Sequence, residues 1–309
     1  MKYPEIPEHE RLTMLTPPDR KVEAVLDTDT YNEIDDQFAL AHALLSPGQI
    51  DLLAVYAAPY LNNRSLSAGD GMQKSYEEIL RVFKLCSRSN DGVVFRGSGE
   101  FIPAAHKPVV SPAAEDLIRK ALLPRNSPLY VLTIGAPTNV SSAIMMEPEI
   151  IKHIVVVWLG GCGMNWFHAN GFNLAQDMIA TRVLFDSGVP LVHLGMEPVS
   201  SHIATTLPEL EQNLRGRNSL ADYLVDIYRE YVDNQPCRSK VLWDLAATSF
   251  VINPEWVPTV LIHSPLITDT NPMHWALDTS RHFIRDAMYS RRDPIFADVF
   301  SKIAGFSSD

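Results

Sequence analysis

The sequence predicts an α/β fold in which a mainly parallel central sheet carries helices on both faces. Apolar runs that are nearly continuous in Val, Ile and Leu recur along the 309 residues, as expected for strands that are buried on both faces. Amphipathic stretches with helical spacing lie between these runs. Because strands alternate with helices, we expect a sheet whose strands run mainly parallel.

The apolar runs predict six strands, which in chain order are Lys21–Asp27, Asp51–Ala58, Val93–Gly97, Leu129–Gly135, His153–Gly160 and Pro190–Gly195. Helices are predicted where apolar residues recur three or four positions apart, at Ile34, Phe38, Ala41 and Leu45, at Tyr76, Ile79, Leu80 and Phe83, and at Leu220, Leu224, Ile227 and Tyr231. In open α/β sheets, ligands bind at the carboxyl ends of the strands, so we expect the functional site at that edge.

No proline-rich or glycine-rich linker divides the sequence, and no internal repeat is visible. We therefore expect one domain over residues 1–309. Residues 198–238 are more polar and more helical than their surroundings, and we expect this segment to form a helical cap over the site.

Composition and charge narrow the class of protein. The formal net charge of -11 disfavours a broad surface for nucleic acid or for an anionic membrane, because both need clustered Lys and Arg. The three cysteines form no CxxC pair, which argues against a zinc site or a disulfide framework. The N-terminal stretch lacks the apolar run of a signal peptide, and the most apolar window is too short to span a bilayer. We expect a soluble, cytoplasmic protein.

The stretch "VLDTDTYNEIDDQFALAHALL" holds four aspartates and one glutamate within ten positions, directly after the first predicted strand. Carboxylates packed so closely repel one another unless a cation lies among them. An EF-hand calcium loop is excluded, because Tyr31 and Asn32 stand where a ligand and a glycine are required. A phosphatase of the haloacid dehalogenase type stays open, with Asp27 as nucleophile and Asp29 as acid.

A third interpretation is a calcium site built from a strand end and a helix start, with Asp29 at the strand and Asp35 and Asp36 at the helix. Hard cations prefer several carboxylate and carbonyl oxygens, and a helix N-terminus also favours negative charge. The alternative is that these acidic residues have no functional role: Asp35 caps the helix and the other acids lie on the surface.

Four segments in order resemble the motifs of the nucleoside hydrolases, which begin with DTDxGxDDxxA. They are "LDTDTYNEIDDQFALA", "VLTIGAPTNVSSAIMMEPEI", "GGCGMNWFHANGFNLAQD" and "LWDLAATSFVINPEWV", and the resemblance covers about residues 21 to 303. It implies a nucleoside hydrolase-like fold with a Rossmann-like core. It also implies Ca²⁺-dependent hydrolysis of the N-glycosidic bond of ribonucleosides, a role in purine or pyrimidine salvage, and assembly into a homo-oligomer, either a dimer or a tetramer.

The resemblance also implies roles for individual residues. In this family a calcium ion at the bottom of a pocket binds the attacking water and the ribose hydroxyls, and by motif position its ligands here would be the carboxylates of Asp29, Asp36 and Asp244 and the backbone carbonyl of Thr138. Asp29 would also be the base that takes a proton from the water. The ribose would be held by Asp35 and Asn173 at the 2′- and 3′-hydroxyls and by Asn165 at the 5′-hydroxyl. The chemistry suits these residue types, because carboxylates stabilise the positive charge that builds on the ribose.

Three departures from the family pattern matter. "TYNE" makes the turn before Asp35 two residues longer, so Asn32 or Glu33 could reach the site. Gly171 replaces a glutamate, which weakens the expected 5′-hydroxyl contact. The family's "VxGN" segment reads "AAPYLNN", with Asn62 as the nearest equivalent. The longer turn and the missing glutamate motivate an alternative, a relative that binds a ribosyl ligand without turning it over.

Trp243 stands where members that prefer inosine and uridine carry a histidine. Purine-preferring members carry tryptophan there and stack the base between aromatic rings, so the resemblance slightly favours purine nucleosides. The sequence does not choose a stacking partner among Tyr60, Trp166 and Phe167, and packing in the core is an equal explanation of Trp243.

Overall fold

The computed structural model describes residues 3–307. Its strands are β1 (Val22–Thr28), β2 (Ile50–Ala57), β3 (Val94–Arg96), β4 (Leu129–Thr133), β5 (Ile154–Leu159), β6 (Leu191–Leu194), β7 (Ala204–Thr206), β8 (Ser239–Val241), β9 (Thr259–His263), β10 (Leu266–Ile267), β11 (Trp275–Ala276) and β12 (Phe283–Ala287). Its helices are α1 (Glu8–Met14), α2 (Asp35–Leu44), α3 (Ala68–Leu85), α4 (Pro112–Ala121), α5 (Thr138–Met146), α6 (Phe172–Gln176), α7 (Met178–Asp186), α8 (Leu207–Leu214), α9 (Ser219–Tyr231), α10 (Leu245–Ile252) and α11 (Arg292–Ala304).

Eight strands form the central sheet in the order β3-β2-β1-β4-β5-β6-β12-β9. All neighbouring strands are parallel except β12 and β9, which pair antiparallel at one edge. Each face of the sheet is covered by its own apolar cluster, so successive residues of a strand enter different clusters. Val131 of β4 packs in one cluster and Leu132 in the other. This burial on both faces explains why the strands read as continuous apolar runs.

The predicted α/β class is confirmed, and the six predicted strands correspond to β1 through β6. Their ends differ from the predicted ones by at most two residues. The sequence prediction missed β9 and β12, which extend the sheet beyond β6. The order of the sheet brings the ends of β1, β4, β5 and β6 side by side, and this places the site.

The segment predicted as a cap, residues 198–238, contains α8 and α9. Its leucines, among them Leu210 and Leu224, belong to the larger apolar cluster. The end of α9 reaches the pocket described below, through Tyr231, and the cap itself stays a prediction. Within residues 3–307, no helix combines the length and the apolar composition needed to cross a bilayer.

Candidate active site

A pocket of about 400 Å³ opens at the carboxyl ends of the central parallel strands. Asp29 follows β1, Ile134 follows β4, Leu159 ends β5 and Met196 follows β6, and all four residues line the pocket. This is the edge at which open α/β sheets bind ligands.

Four carboxylates converge on the buried side of this pocket, those of Asp29, Asp35, Asp36 and Asp244. Each of these residues is at most 4% exposed. Asp35, Asp36 and Asp244 each offer one oxygen atom, and these three atoms lie within 4.8 Å of one another. Asp35 and Asp36 occupy the first turn of α2, and Asp244 directly precedes α10. Both helix N-termini therefore favour the negative charge of these groups.

Burial raises the pKa of each of these carboxyl groups, and for Asp29, Asp36 and Asp244 the charges of other members of the cluster add to the rise. For Asp35 the charge of Lys240 opposes the effect of burial, and the charge of Glu33 adds to it. Burial raises the pKa of Asp36 to about 7, and the charge of Asp35 adds to the rise. Burial raises the pKa values of Asp29 and Asp244 well above their ordinary range, and the charge of Asp36 is the second cause for both. The protein alone therefore disfavours full ionisation of the cluster, and a bound cation would reverse that preference.

The donor set fits a hard divalent cation. The ligand atoms are carboxylate oxygens, which Ca²⁺ prefers, and they come from residues that are far apart in the chain but close in space. The Oδ2 atom of Asp29 is buried and has no hydrogen-bond partner in the structure. Buried carboxylate oxygens are normally paired, so this unpaired atom, like the clustered charge, suits a metal ligand.

The residues predicted to complete the site differ in where the structure places them. Asn173 lines the pocket, and its Nδ2 donates to the backbone carbonyls of Ile134 (2.8 Å) and Leu159 (2.9 Å), which leaves Oδ1 for a ligand. Thr138 begins α5, and its hydroxyl donates to Asp177 (2.9 Å). Asn165 lies exposed in the loop after β5 and does not line the pocket, so its predicted contact with the 5′-hydroxyl gains no support.

The longer turn before α2 brings Glu33 to the pocket, together with Asn32 and Asn62. Glu33 pairs with Lys240 of β8, with 2.6 Å between Oε2 and Nζ, and accepts a hydrogen bond from the hydroxyl of Tyr231 (2.9 Å). Burial lowers the pKa of Lys240, but the charges of Asp35 and Glu33 outweigh it, so the pKa is raised and the side chain stays an ammonium.

The longer turn predicted that Asn32 or Glu33 could reach the site, and both line the pocket. Lys240 and Tyr231 were not predicted as site residues. One feature of the sequence could have indicated that Lys240 belongs to the site. It lies only four residues before Asp244, across the short turn between β8 and α10.

Three aromatic side chains line the pocket, those of Phe172, Tyr231 and Trp243. The backbone N–H of Trp243 donates to Oδ2 of Asp35 (3.1 Å), so this residue also fixes one carboxylate of the cluster. None of the stacking partners considered from the sequence lines the pocket. Tyr60 is fully buried, and Trp166 and Phe167 contact each other, with 4.6 Å between ring centroids.

The phosphatase interpretation is wrong. It requires Asp27 to attack a substrate, but Asp27 is fully buried beneath the pocket and is not among the lining residues. Its Oδ1 accepts a hydrogen bond from Nδ2 of Asn139 (2.8 Å). Asp27 therefore cannot reach a substrate in the pocket and cannot act as the nucleophile.

Comparison with known protein families decides the class of this site. The model of the family described as inosine-uridine preferring nucleoside hydrolase matches residues 24–292, which is most of the chain. The chain belongs to this family. It is therefore an enzyme of the nucleoside hydrolase class, which cleaves the N-glycosidic bond of ribonucleosides, and the resemblance inferred from the four motifs is confirmed.

Relatives of this nucleoside hydrolase carry different substrate names. The pyrimidine-specific ribonucleoside hydrolases RihA of Escherichia coli O81 (strain ED1a) and of Citrobacter koseri are each 26% identical over 249 residues, covering 69% of this chain and 79% of theirs.

Among solved structures, the purine-preferring ribonucleoside hydrolase from Gardnerella vaginalis has a TM-score of 0.73 at 20% identity and covers 92% of this chain and 98% of its own. An inosine-guanosine nucleoside hydrolase has a TM-score of 0.73 at 14% identity, with coverages of 93% and 99%. At these identities, the structural likeness shows the fold alone.

Proposed function

We propose that this nucleoside hydrolase uses Ca²⁺ to cleave ribonucleosides into ribose and free base, with purine nucleosides slightly favoured. The observation that carries the proposal is that four buried carboxylates, those of Asp29, Asp35, Asp36 and Asp244, line one pocket large enough for a nucleoside. Three of these residues, Asp35, Asp36 and Asp244, each place an oxygen within 4.8 Å of the others. A site of this composition suits a cation and a substrate that becomes positively charged during the reaction.

The carboxylates of Asp29, Asp36 and Asp244 and the backbone carbonyl of Thr138 would hold the calcium ion. When bound, Ca²⁺ would offset the repulsion among these acids and lower the pKa of a water molecule in the pocket. All of these ligands are oxygens, and three of the four residues lie at the start of a helix, where their positions are fixed by the first turn.

The protein side chains perform the remaining steps. Asp35 and Asn173 bind the 2′- and 3′-hydroxyls and orient the ribose so that C1′ faces the carboxylates. Asp29 accepts a proton from the water whose oxygen attacks C1′. As the C1′–N bond breaks, the carboxylates stabilise the positive charge on the ribose ring, and the bonding electron pair stays on the base.

The preference for purines rests on Trp243, an aromatic surface in the wall of the pocket where a base can stack. Phe172 and Tyr231 line the same pocket and offer further aromatic contacts. The names of the relatives do not agree on the preferred base, since RihA is called pyrimidine-specific and the Gardnerella vaginalis enzyme is called purine-preferring.

We further propose a cytoplasmic role in nucleoside salvage and assembly into a dimer or tetramer, as the family resemblance implies. Cys86, Cys162 and Cys237 are unpaired, and Cys237 is exposed, which suits a reducing compartment.

The test is base release from inosine, adenosine, guanosine, uridine and cytidine, measured with Ca²⁺ and again after removal of divalent cations with a chelator. The proposal predicts release that stops on chelation and returns when Ca²⁺ is added, and that is faster for the purine nucleosides. No release from any nucleoside, combined with measurable ribose binding, would instead favour a catalytically altered relative.

A further inference from the structure

A cationic side chain lies next to the proposed sugar site, that of Lys240. Its Nζ is 2.6 Å from Oε2 of Glu33 and 3.6 Å from Oδ1 of Asp35, and the side chain is only 7% exposed. The same atom is 6.0 Å from the ring of Trp243. An ammonium group carries three donors, of which Glu33 uses one, and 3.6 Å is too long for a hydrogen bond to Asp35. Lys240 therefore retains donor capacity at the wall of the pocket.

We propose that Lys240 donates a hydrogen bond to the base atom that lies next to the glycosidic nitrogen, which is O2 of a pyrimidine or N3 of a purine. This contact stabilises the negative charge that the base acquires as it leaves. The inference rests on the proposed function, because it takes Asp35 as the residue that binds the 2′-hydroxyl.

The position of Lys240 relative to Asp35 selects this atom of the base. The 2′-hydroxyl is carried by C2′, which is bonded to C1′, the carbon that holds the base. In the anti conformer of a nucleoside, pyrimidine O2 or purine N3 lies on the C2′ side of the glycosidic bond. A cation that lies beside the 2′-hydroxyl ligand is therefore also beside this acceptor, and both purine and pyrimidine nucleosides present one there.

Glu33 holds the ammonium group of Lys240 in place, and the remaining donors of that group can bind the ligand. One carboxylate oxygen of Glu33 faces Lys240, and the other accepts a hydrogen bond from Tyr231, so both oxygens are engaged by protein groups. Glu33 belongs to the longer turn between Asp29 and Asp35, which gives this departure from the family motif a function.

No proton leaves Lys240 in this account. The oxygen of water bonds to C1′, the C1′–N bond breaks, and its electron pair stays on the base nitrogen. The proton of the water passes to Asp29 and from there to solvent, and the departing base takes a proton from solvent. The products are ribose and the neutral base, and Lys240 contributes only a charged hydrogen bond, which strengthens as the negative charge grows.

The test compares nucleosides with a ribosyl compound whose leaving group needs no assistance. In 4-nitrophenyl β-D-ribofuranoside the leaving group is a stable phenolate. It has no hydrogen-bond acceptor at the position of pyrimidine O2 or purine N3. Lys240→Met should lower kcat/KM for inosine and uridine by about 10- to 100-fold, the loss expected for one hydrogen bond from a charged donor. It should leave the nitrophenyl riboside within about 3-fold of wild type. Lys240→Arg keeps the charge and should recover part of the loss, and Lys152→Met, which removes an exposed lysine, is the matched control.

A second measurement begins with the wild-type enzyme, and that first result does not depend on how well the variant folds. In 3-deazainosine a C–H group replaces N3, and the wild type should hydrolyse it about 10-fold or more slowly than inosine. In Lys240→Met the ratio between the two substrates should shrink towards its value without enzyme.

The outcomes separate this inference from the proposed function. A similar loss on the nucleosides and the nitrophenyl riboside would overturn it, because Lys240 would then act on the ribose through Asp35. An unchanged ratio of inosine to 3-deazainosine in Lys240→Met would overturn it as well. If the wild type releases base from no nucleoside, both the proposed function and this inference are wrong. If the wild type releases base and Lys240→Met does not change kcat/KM for the nucleosides, only this inference is wrong.

Discussion

Asp27 offers a quantitative test of the electrostatics beneath the pocket. The residue is fully buried, its Oδ1 accepts one hydrogen bond from Asn139, and its Oδ2 has no hydrogen-bond partner among residues 3–307. Burial raises its pKa from 3.8 to about 7, and the hydrogen bond from Asn139 offsets only part of the rise. Because the pKa is higher in the folded state, folding stability from this group is fully present below pH 3.8 and is lost as the pH rises to about 7.

The size of the loss follows from these two values. The ionisation of Asp27 should destabilise the fold by about 2 kcal/mol at about pH 5 and by about 4 kcal/mol at about pH 8. Asp27→Asn cannot ionise, so its stability relative to wild type should improve by about 2 to 3 kcal/mol between these two pH values. Any penalty of the new buried amide is the same at both and cancels in the difference.

The assay is urea denaturation of both proteins at about pH 5 and about pH 8, with a chelator present so that metal binding does not contribute. Asp51→Asn, which changes an exposed carboxyl on the neighbouring β2, is the control and should alter stability little at either pH. A difference between wild type and Asp27→Asn that is the same at both pH values would refute the assignment of a raised pKa to Asp27.

Three further substitutions test single groups of the site. Asp29→Ala should abolish base release while circular dichroism shows an intact fold, and near-normal rates would exclude Asp29 as the base. Thr138→Ser should change turnover little, because only the backbone carbonyl is a ligand and serine keeps the hydrogen bond from the hydroxyl to Asp177. Thr138→Val removes that donor from the buried Asp177, so it should lower the free energy of unfolding in urea by about 1 to 3 kcal/mol. Asn173→Ala removes two hydrogen bonds that tie the ends of β4 and β5, so it should raise KM and lower stability by about 1 to 3 kcal/mol, and an unchanged KM for inosine would argue against its ribose contact.

The central sheet was predictable where burial leaves a simple pattern in the sequence. Strands β1 through β6 are covered on both faces and read as apolar runs. The two missed strands lack this pattern. β9 lies at the sheet edge with Val260 and Leu261 exposed, and β12 carries Asp286, whose carboxylate pairs with the buried His193 across 2.7 Å. A polar group that is satisfied by a distant partner looks like a loop residue in the sequence.

The candidate site likewise has one part that the sequence pattern predicts and another that depends on contacts between distant residues. Asp29, Asp35 and Asp36 are close neighbours in the sequence, so their density alone indicated a charged site. The pair of Glu33 and Lys240 joins residues that are 207 positions apart, and single charged residues are most often found on the surface. Only the folded structure shows that these two charges meet at the pocket, where Lys240 also lies 3.6 Å from Asp35 in the first turn of α2.

An anomalous difference map from crystals grown with Ca²⁺ would show directly whether these carboxylates hold the ion. We expect one strong peak in the pocket, with ligands from the carboxylates of Asp29, Asp36 and Asp244 and the carbonyl of Thr138 at about 2.3–2.6 Å. An absent peak at high Ca²⁺ concentration, with these oxygens turned away from one another, would contradict it.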